Sequence, residues 1–311
     1  LQVNGDLTDT GSAADLQYGF QTLQSFGLPF HDAPGNHEIS QGGNPEDQNW
    51  TALFGPTHYS YTDGDAEFIV TDSANGGLLG SDQFQVPDEE QYAWLVSQLS
   101  ASRSKVVFLV THMPPYDPHP VNNSHFADSY EAQQYEQLAA LYQATHPQVH
   151  VVLLAGHARG AAEQLLNPLG QADPNGLPNF TIADAGVPAY APVDRGGFYN
   201  YALFHVLPGG DVQFAIQPVL DSIAVTAPQA SLAPGATEQL AATGTTPTGN
   251  DLAPLQVPIA DPASHLWASS DKQIASVDPS TGLVTAVKPG TVTISVLAGG
   301  VTASTTITVT G

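Results

Sequence analysis

Hydrophobic positions recur along this chain with two different periods, and the change from one to the other divides it. In the first two-thirds, apolar residues fall at helical spacing in three stretches. Leu16, Phe20, Leu23 and Phe26 share one face of a helix that Gly27 would end. Tyr92, Leu95, Val96 and Leu99 share the face of a second, with Asp88 placed to cap it. Residues 128–146 form a third, with Tyr135, Leu138, Leu141 and Tyr142 inward. Between these stretches lie residues 106–110 and 149–154, unbroken apolar runs that read as strands buried on both faces. Alternating strands and helices predict a layered α/β domain over residues 1–219. The Pro-, Gly- and Asn-rich segment 167–178 reads as a loop.

Past residue 220 the helical period disappears. Short β-branched runs at 223–226, 275–277, 283–287, 291–296 and 302–309 alternate with turn signals, Pro-Gly at 234–235 and 289–290 and Gly-Gly at 299–300. That rhythm predicts an all-β sandwich over 220–311, interrupted by a low-complexity insertion at 243–264.

Charge follows the same division. The chain carries 30 acids against 6 bases, a formal charge of -24, and most of the excess lies before residue 220. A field of that sign repels polyphosphate backbones, so DNA or RNA is excluded as a partner. With no Cys there are neither disulfides nor thiolate metal sites. No apolar run approaches the roughly 18 residues of a membrane span. The opening at Leu1, with neither Met nor a basic leader, reads as a mature or truncated product.

Four short motifs carry the chemistry: Gly5-Asp6, Gly35-Asn36-His37-Glu38, Thr111-His112 and Gly156-His157-Ala158-Arg159. Each follows an apolar run, and the carboxyl ends of strands in an α/β sheet share one crevice. Asp6, Asn36, His112 and His157 would then offer a carboxylate oxygen, an amide oxygen and two imidazole nitrogens. A mixed nitrogen and oxygen set suits Zn, Mn or Fe.

The order GD, GNHE, TH, GH-x resembles the calcineurin-like metallophosphoesterases, whose motifs run D-x-H, GD, GNH[DE], H, GHxH. The resemblance covers residues 1–219 and implies a layered β-sandwich flanked by helices. It implies Asp6, Asn36, His112 and His157 as metal ligands, and His37 as the residue that contacts phosphate or protonates the leaving oxygen. Two departures stand out. Only Leu1–Asn4 precede Gly5, so the D-x-H ahead of it is missing, and position 159 is Arg where the family has its second His. One or two divalent ions are expected, the incomplete set favouring one. A guanidinium at Arg159 could stand in the vacant cation place and grip an anion. Position 9 is Asp rather than the Tyr of purple acid phosphatases, which argues against an iron–tyrosinate site.

Residues 221–310 resemble a bacterial group 2 immunoglobulin-like domain, carried by the Pro234-Gly235 turn, Trp267, Ile274-Ala275-Ser276-Val277 and Gly290-Thr291-Val292-Thr293-Ile294. Such modules imply an extracellular or cell-surface protein, with self-association or surface contact through the β domain. Two functions are expected from the whole: a secreted hydrolase of small phosphate esters, or a catalytically silent phosphoesterase fold serving as a structural, filament-forming or adhesive protein.

Overall fold

A computed structural model describes residues 1–39, 47–78, 89–119, 124–183, 187–247 and 253–311. The chain forms two compact units, Leu1–Ala183 with His205–Gln213, and Asp184–Phe204 with Phe214–Gly311.

The first unit begins with β1 (Gln2–Val3), which runs through α1 (Ala13–Ser25) into the parallel strand β2 (His31–Asp32). The Ser12 side chain caps α1 by accepting from the Asp15 N–H, and Gly27, at φ +66°, lets the chain leave it. Leu16 and Leu23 are buried as their spacing predicts, whereas Phe26, already past the last helical residue, is exposed. Two short helices follow, α2 (Asn36–Ile39) and α3 (Gln48–Phe54), then the hairpin β3 (Tyr59–Asp63) and β4 (Ala66–Val70). Helix α4 (Glu89–Ala101), β5 (Val106–Val110), α5 (Ser129–Thr145), β6 (His150–Ala155), β7 (Ala162–Leu166) and β8 (Leu177–Thr181) complete a six-stranded sheet of order β3-β4-β5-β6-β8-β7. The four inner strands are parallel and the two edges antiparallel.

All five residues of β5 are buried, which explains its continuous apolar run. On one face Val107, Leu109, Val151 and Leu153 pack with Leu95 and Leu99 of α4 and with Ala132, Tyr135, Ala139 and Tyr142 of α5. Burying each such leucine contributes roughly 1.5–3 kcal/mol. Val96 and Leu141, expected inward, are exposed; the small residues Ala132 and Ala139 hold α5 against the sheet in their place. On the other face Tyr61, Phe68 and Phe108 stack in sequence, with centroids 4.7 and 4.6 Å apart. Asp88 lies outside the described residues.

Strands β9 (Asn200–Val206) and β10 (Val212–Pro218) pair with each other. The second unit continues all-β: β11 (Ser222–Thr226), β12 (Ser231–Leu232), β13 (Thr237–Gln239), β14 (Ala241–Thr245), β15 (Gln256–Pro258), β16 (His265–Ser269), β17 (Ala275–Val277), β18 (Leu283–Ala286), β19 (Gly290–Ala298) and β20 (Val301–Val309). Three sheets form, of order β11-β14-β15, β12-β20-β19-β16 and β13-β18-β17. Alternate residues of β19 turn inward, so Val292, Ile294 and Val296 join Trp267, Val284 and Ile307 in one core. The segment 243–264, read from the sequence as a low-complexity insertion, contributes strands to the domain. Thr243, Gly244 and Thr245 pair with Pro258, Val257 and Gln256, so these parts of it belong to the sheet.

Candidate metal centre

Four chain segments end at one place. Asp6 follows β1, Asn36 opens α2 just after β2, His112 follows β5 and His157 follows β6. Parallel strands deliver their carboxyl ends to the same side, and that is why residues up to 151 positions apart can meet. His112 is fully buried at the centre. Its Nε2 lies 3.0 Å from Asn36 Oδ1, 3.0 Å from His157 Nδ1 and 3.3 Å from Asp6 Oδ1. Ligand atoms of Asp6, His112 and His157 all fall within 4.8 Å of one another.

The other ring nitrogen decides what Nε2 can do. His112 Nδ1 is 2.8 Å from the Asn4 carbonyl oxygen, which can only accept, so Nδ1 carries a proton. In the neutral ring Nε2 then presents a lone pair to two oxygens that present lone pairs back. Such a convergence of donors without a cation is repulsive. A proton on Nε2, an N–H donated by His157 Nδ1, or a metal ion relieves it, and the donor set fits a borderline divalent ion.

Electrostatics describe the protonated alternative. Burial alone would lower His112, but its hydrogen bond to Asp6 and the charge of Asp6 raise its pKa above the usual value. Burial alone would raise Asp6, but His112, and behind it the His37 N–H at 3.2 Å, bring it down to about 2. His157 is lowered to about 4 by burial first and then by the positive charges of His112 and Arg159, Asp6 opposing them. Asp32 and Glu38 are buried close by. Burial, and then mutual or neighbouring carboxylate charge, pushes both upward.

The backbone is unusual at these turns. Asp6, His157 and Arg159 adopt φ +53°, +60° and +48°, in the left-handed region that side chains seldom enter. Gly35 is required: a Cβ there would collide with the amide and carboxylate of Asp6.

The remaining expected residues take distinct places. His37 is near but turned outward, its Nδ1 2.9 Å from the Asp9 carbonyl oxygen and 3.7 Å from the Asp9 carboxylate. Arg159 is half-buried beyond His157 and reaches it by charge. The tripeptide Asp117-Pro118-His119 has the D-x-H spelling, but Asp117 accepts from the N–H of His119 and of Ser124 and so shapes its own loop.

Several contributors gave weaker signals in the sequence. Asn4 fixes the His112 tautomer. The Ser73 hydroxyl oxygen accepts from the N–H of His112 and of Met113, at 3.0 and 2.9 Å. Glu38, within the GNHE motif, binds the turn around Asp6. Asp9 was visible only as the absence of a tyrosine.

A family model described as calcineurin-like phosphoesterase matches residues 1–158. The chain belongs to the calcineurin-like phosphoesterase family. A second family model, bacterial Ig-like domain group 2, matches residues 219–309. No curated protein sequence matches the chain. Among solved structures, a C-terminal intimin fragment in complex with the translocated intimin receptor's intimin-binding domain is 31% identical over 27% of this chain and 24% of that one, at TM-score 0.20. Domains 4 and 5 of the S-layer protein SbsC are 18% identical over 49% of this chain and 99% of theirs, at TM-score 0.24. PhoD is 12% identical over 91% of this phosphoesterase-family chain and 56% of its own, at TM-score 0.34. All three superpositions fall below the level at which a shared fold follows. The chain spans about a quarter of the intimin fragment's length. No described helix is long and apolar enough to cross a membrane.

Proposed function

We propose that residues 1–219 act as a metal-dependent phosphoesterase on small phosphate esters, and that residues 220–311 form an immunoglobulin-like module of an extracellular or cell-surface protein. The observation that carries the catalytic part is His112 Nε2, facing Asp6 Oδ1, Asn36 Oδ1 and His157 Nδ1 with its own Nδ1 committed to Asn4. A Zn, Mn or Fe ion, which these four side chains would hold, would supply Lewis-acid polarisation of a phosphoryl oxygen and offset the repulsion that a net charge of -24 imposes on an anionic ester.

The chain's own groups would divide the remaining work. Asp6 stays ionised, steadied by the His37 N–H. His37, with Nδ1 on the Asp9 carbonyl, keeps Nε2 for the leaving oxygen and, in its doubly protonated imidazolium form, would hand it the Nε2 proton. Arg159 adds positive charge beside His157 and would grip a non-bridging phosphate oxygen.

The test is elemental analysis of the purified protein together with hydrolysis of a generic aryl phosphate in added Mn or Zn. Metal at one or two ions per chain with turnover supports the reading. Arg159 at the last position of GHxH favours the rival, a silent fold serving as a surface structural or adhesive protein. Absence of metal and of turnover, with large assemblies in light scattering, would establish that rival instead.

A further inference from the structure

We infer that Glu38 is a positioning residue for this centre, setting cation affinity through the backbone that carries Asp6. The inference rests on the metal-binding reading above. Glu38 is completely buried at the start of α2. Its Oε2 accepts from the N–H of Asp6 at 2.9 Å and of Gly35 at 2.9 Å. Its Oε1 accepts from the N–H of Thr8 at 2.7 Å, and the Thr8 hydroxyl lies 3.0 Å away. One carboxylate therefore holds three backbone amides drawn from both turns that present ligands, the one after β1 and the one before Asn36.

The consequence is geometric. Asp6 adopts φ +53°, a conformation an aspartate leaves readily when nothing holds it. Its amide on Glu38 fixes that backbone, and its carboxylate is then steadied by the His37 N–H. Gly35 lies between, packed so closely that no side chain fits. Loss of the Glu38 acceptor leaves buried N–H groups without a partner, and the turn must shift to recover one. Asp6 Oδ1 would then leave its 3.3 Å position opposite His112 Nε2. Glu38 touches neither ion nor substrate in this picture. It acts as carboxylates behind metal ligands generally do, where loss of such a partner costs roughly 10–100-fold in metal affinity.

Glu38→Gln keeps the shape but replaces one acceptor oxygen by a donor. The experiment titrates the metal-stripped full chain with Co²⁺, reading both dissociation constant and visible absorption, with circular dichroism and melting of the metal-free protein alongside. The expected result for Glu38→Gln is roughly 10–100-fold weaker Co²⁺ binding with a shifted absorption band, at unchanged secondary structure. Thr8→Val, which removes the hydroxyl that lies between Oε1 and the Thr10 carbonyl oxygen, should give a smaller weakening in the same direction, and it reports even if the Gln variant fails to fold. Wild-type affinity and spectrum in folded Glu38→Gln, or in Thr8→Val when the Gln variant does not fold, would overturn the role of Glu38 while leaving the metal site intact. No Co²⁺ uptake by the wild-type chain would overturn both.

Discussion

Replacing Glu136 by Gln should change how stability depends on pH, through a group that has no part in the metal centre. Glu136 lies on α5, only 1% exposed. The Asn179 amide on β8 is close enough to offset part of the burial, yet neither carboxyl oxygen has a donor at hydrogen-bond geometry among the described residues. The neighbouring titratable groups are Tyr116 and Tyr135, both themselves raised by burial and then by Glu136. Burial pushes Glu136 from its ordinary 4.5 to about 8. The folded chain therefore keeps a proton that the unfolded chain releases across that window. Stability falls as pH rises through it and levels off above. At about 1.4 kcal/mol per pH unit, the loss has reached about 3 kcal/mol by pH 7. Glu136→Gln abolishes this titration and leaves a buried amide whose unmet groups cost about 1–3 kcal/mol at every pH. The variant is thus the less stable at pH 5 and gains on the wild type by about 1.4 kcal/mol per unit up to about pH 8. Because two compact units can unfold separately, hydrogen exchange of α5 amides is the suitable assay, run on both proteins with chelator present. Other titrating groups are common to both chains and cancel in the difference. A difference that stays constant between pH 5 and pH 8 would refute the reasoning.

Further expectations concern the site and the second unit. His112→Ala removes the central ligand and should abolish Co²⁺ uptake, measured by titration, while hydrolysis of an aryl phosphate falls at least about 100-fold. Gly35→Ala should displace Asp6 and cost about 1–3 kcal/mol along with metal affinity, read by chemical denaturation and Co²⁺ titration. Arg159→His restores the ligand type that the resemblance places on the other metal, the one whose D-x-H is missing; elemental analysis should show metal per chain rising above the wild-type value, and an unchanged value would mean that Arg159 alone does not keep a second ion out. Trp267→Ala should cost about 3–5 kcal/mol and melt the β unit, with Co²⁺ affinity unchanged.

The layered unit was legible where one physical demand dominated a segment. Val106–Val110 had to be an inner strand because no polar residue interrupts it, and all five residues are buried. Strands β3 and β4 escaped notice because neither is long or fully apolar; the signal available was the Gly64-Asp65 pair between them, a two-residue hairpin turn with Gly64 at φ +59°. Val96 and Leu141 misled because spacing gives the phase of a helix but not the width of the stripe its neighbours cover. Segment 243–264 looked featureless because β14 and β15 are short and rich in Thr, Gly and Pro, and only their pairing makes them strands. In the site, the ligand types could be read from four motifs. Asn4 and Asp9 could not, since each acts through its backbone carbonyl, which any residue type supplies, and Ser73 could not, since its hydroxyl lies in none of the motifs.

The distances in sequence between the four converging side chains bear on how the protein would come to hold an ion. Asp6 and His157 close a loop of about 150 residues, and Asn36 and His112 divide it unevenly. Closing such a loop is entropically slow, and strand ends from across the chain must all dock before the donors face one another. A cation supplied during refolding can therefore reward only chains that have already finished, so it should lengthen the lifetime of the native form while leaving the speed of its formation nearly untouched.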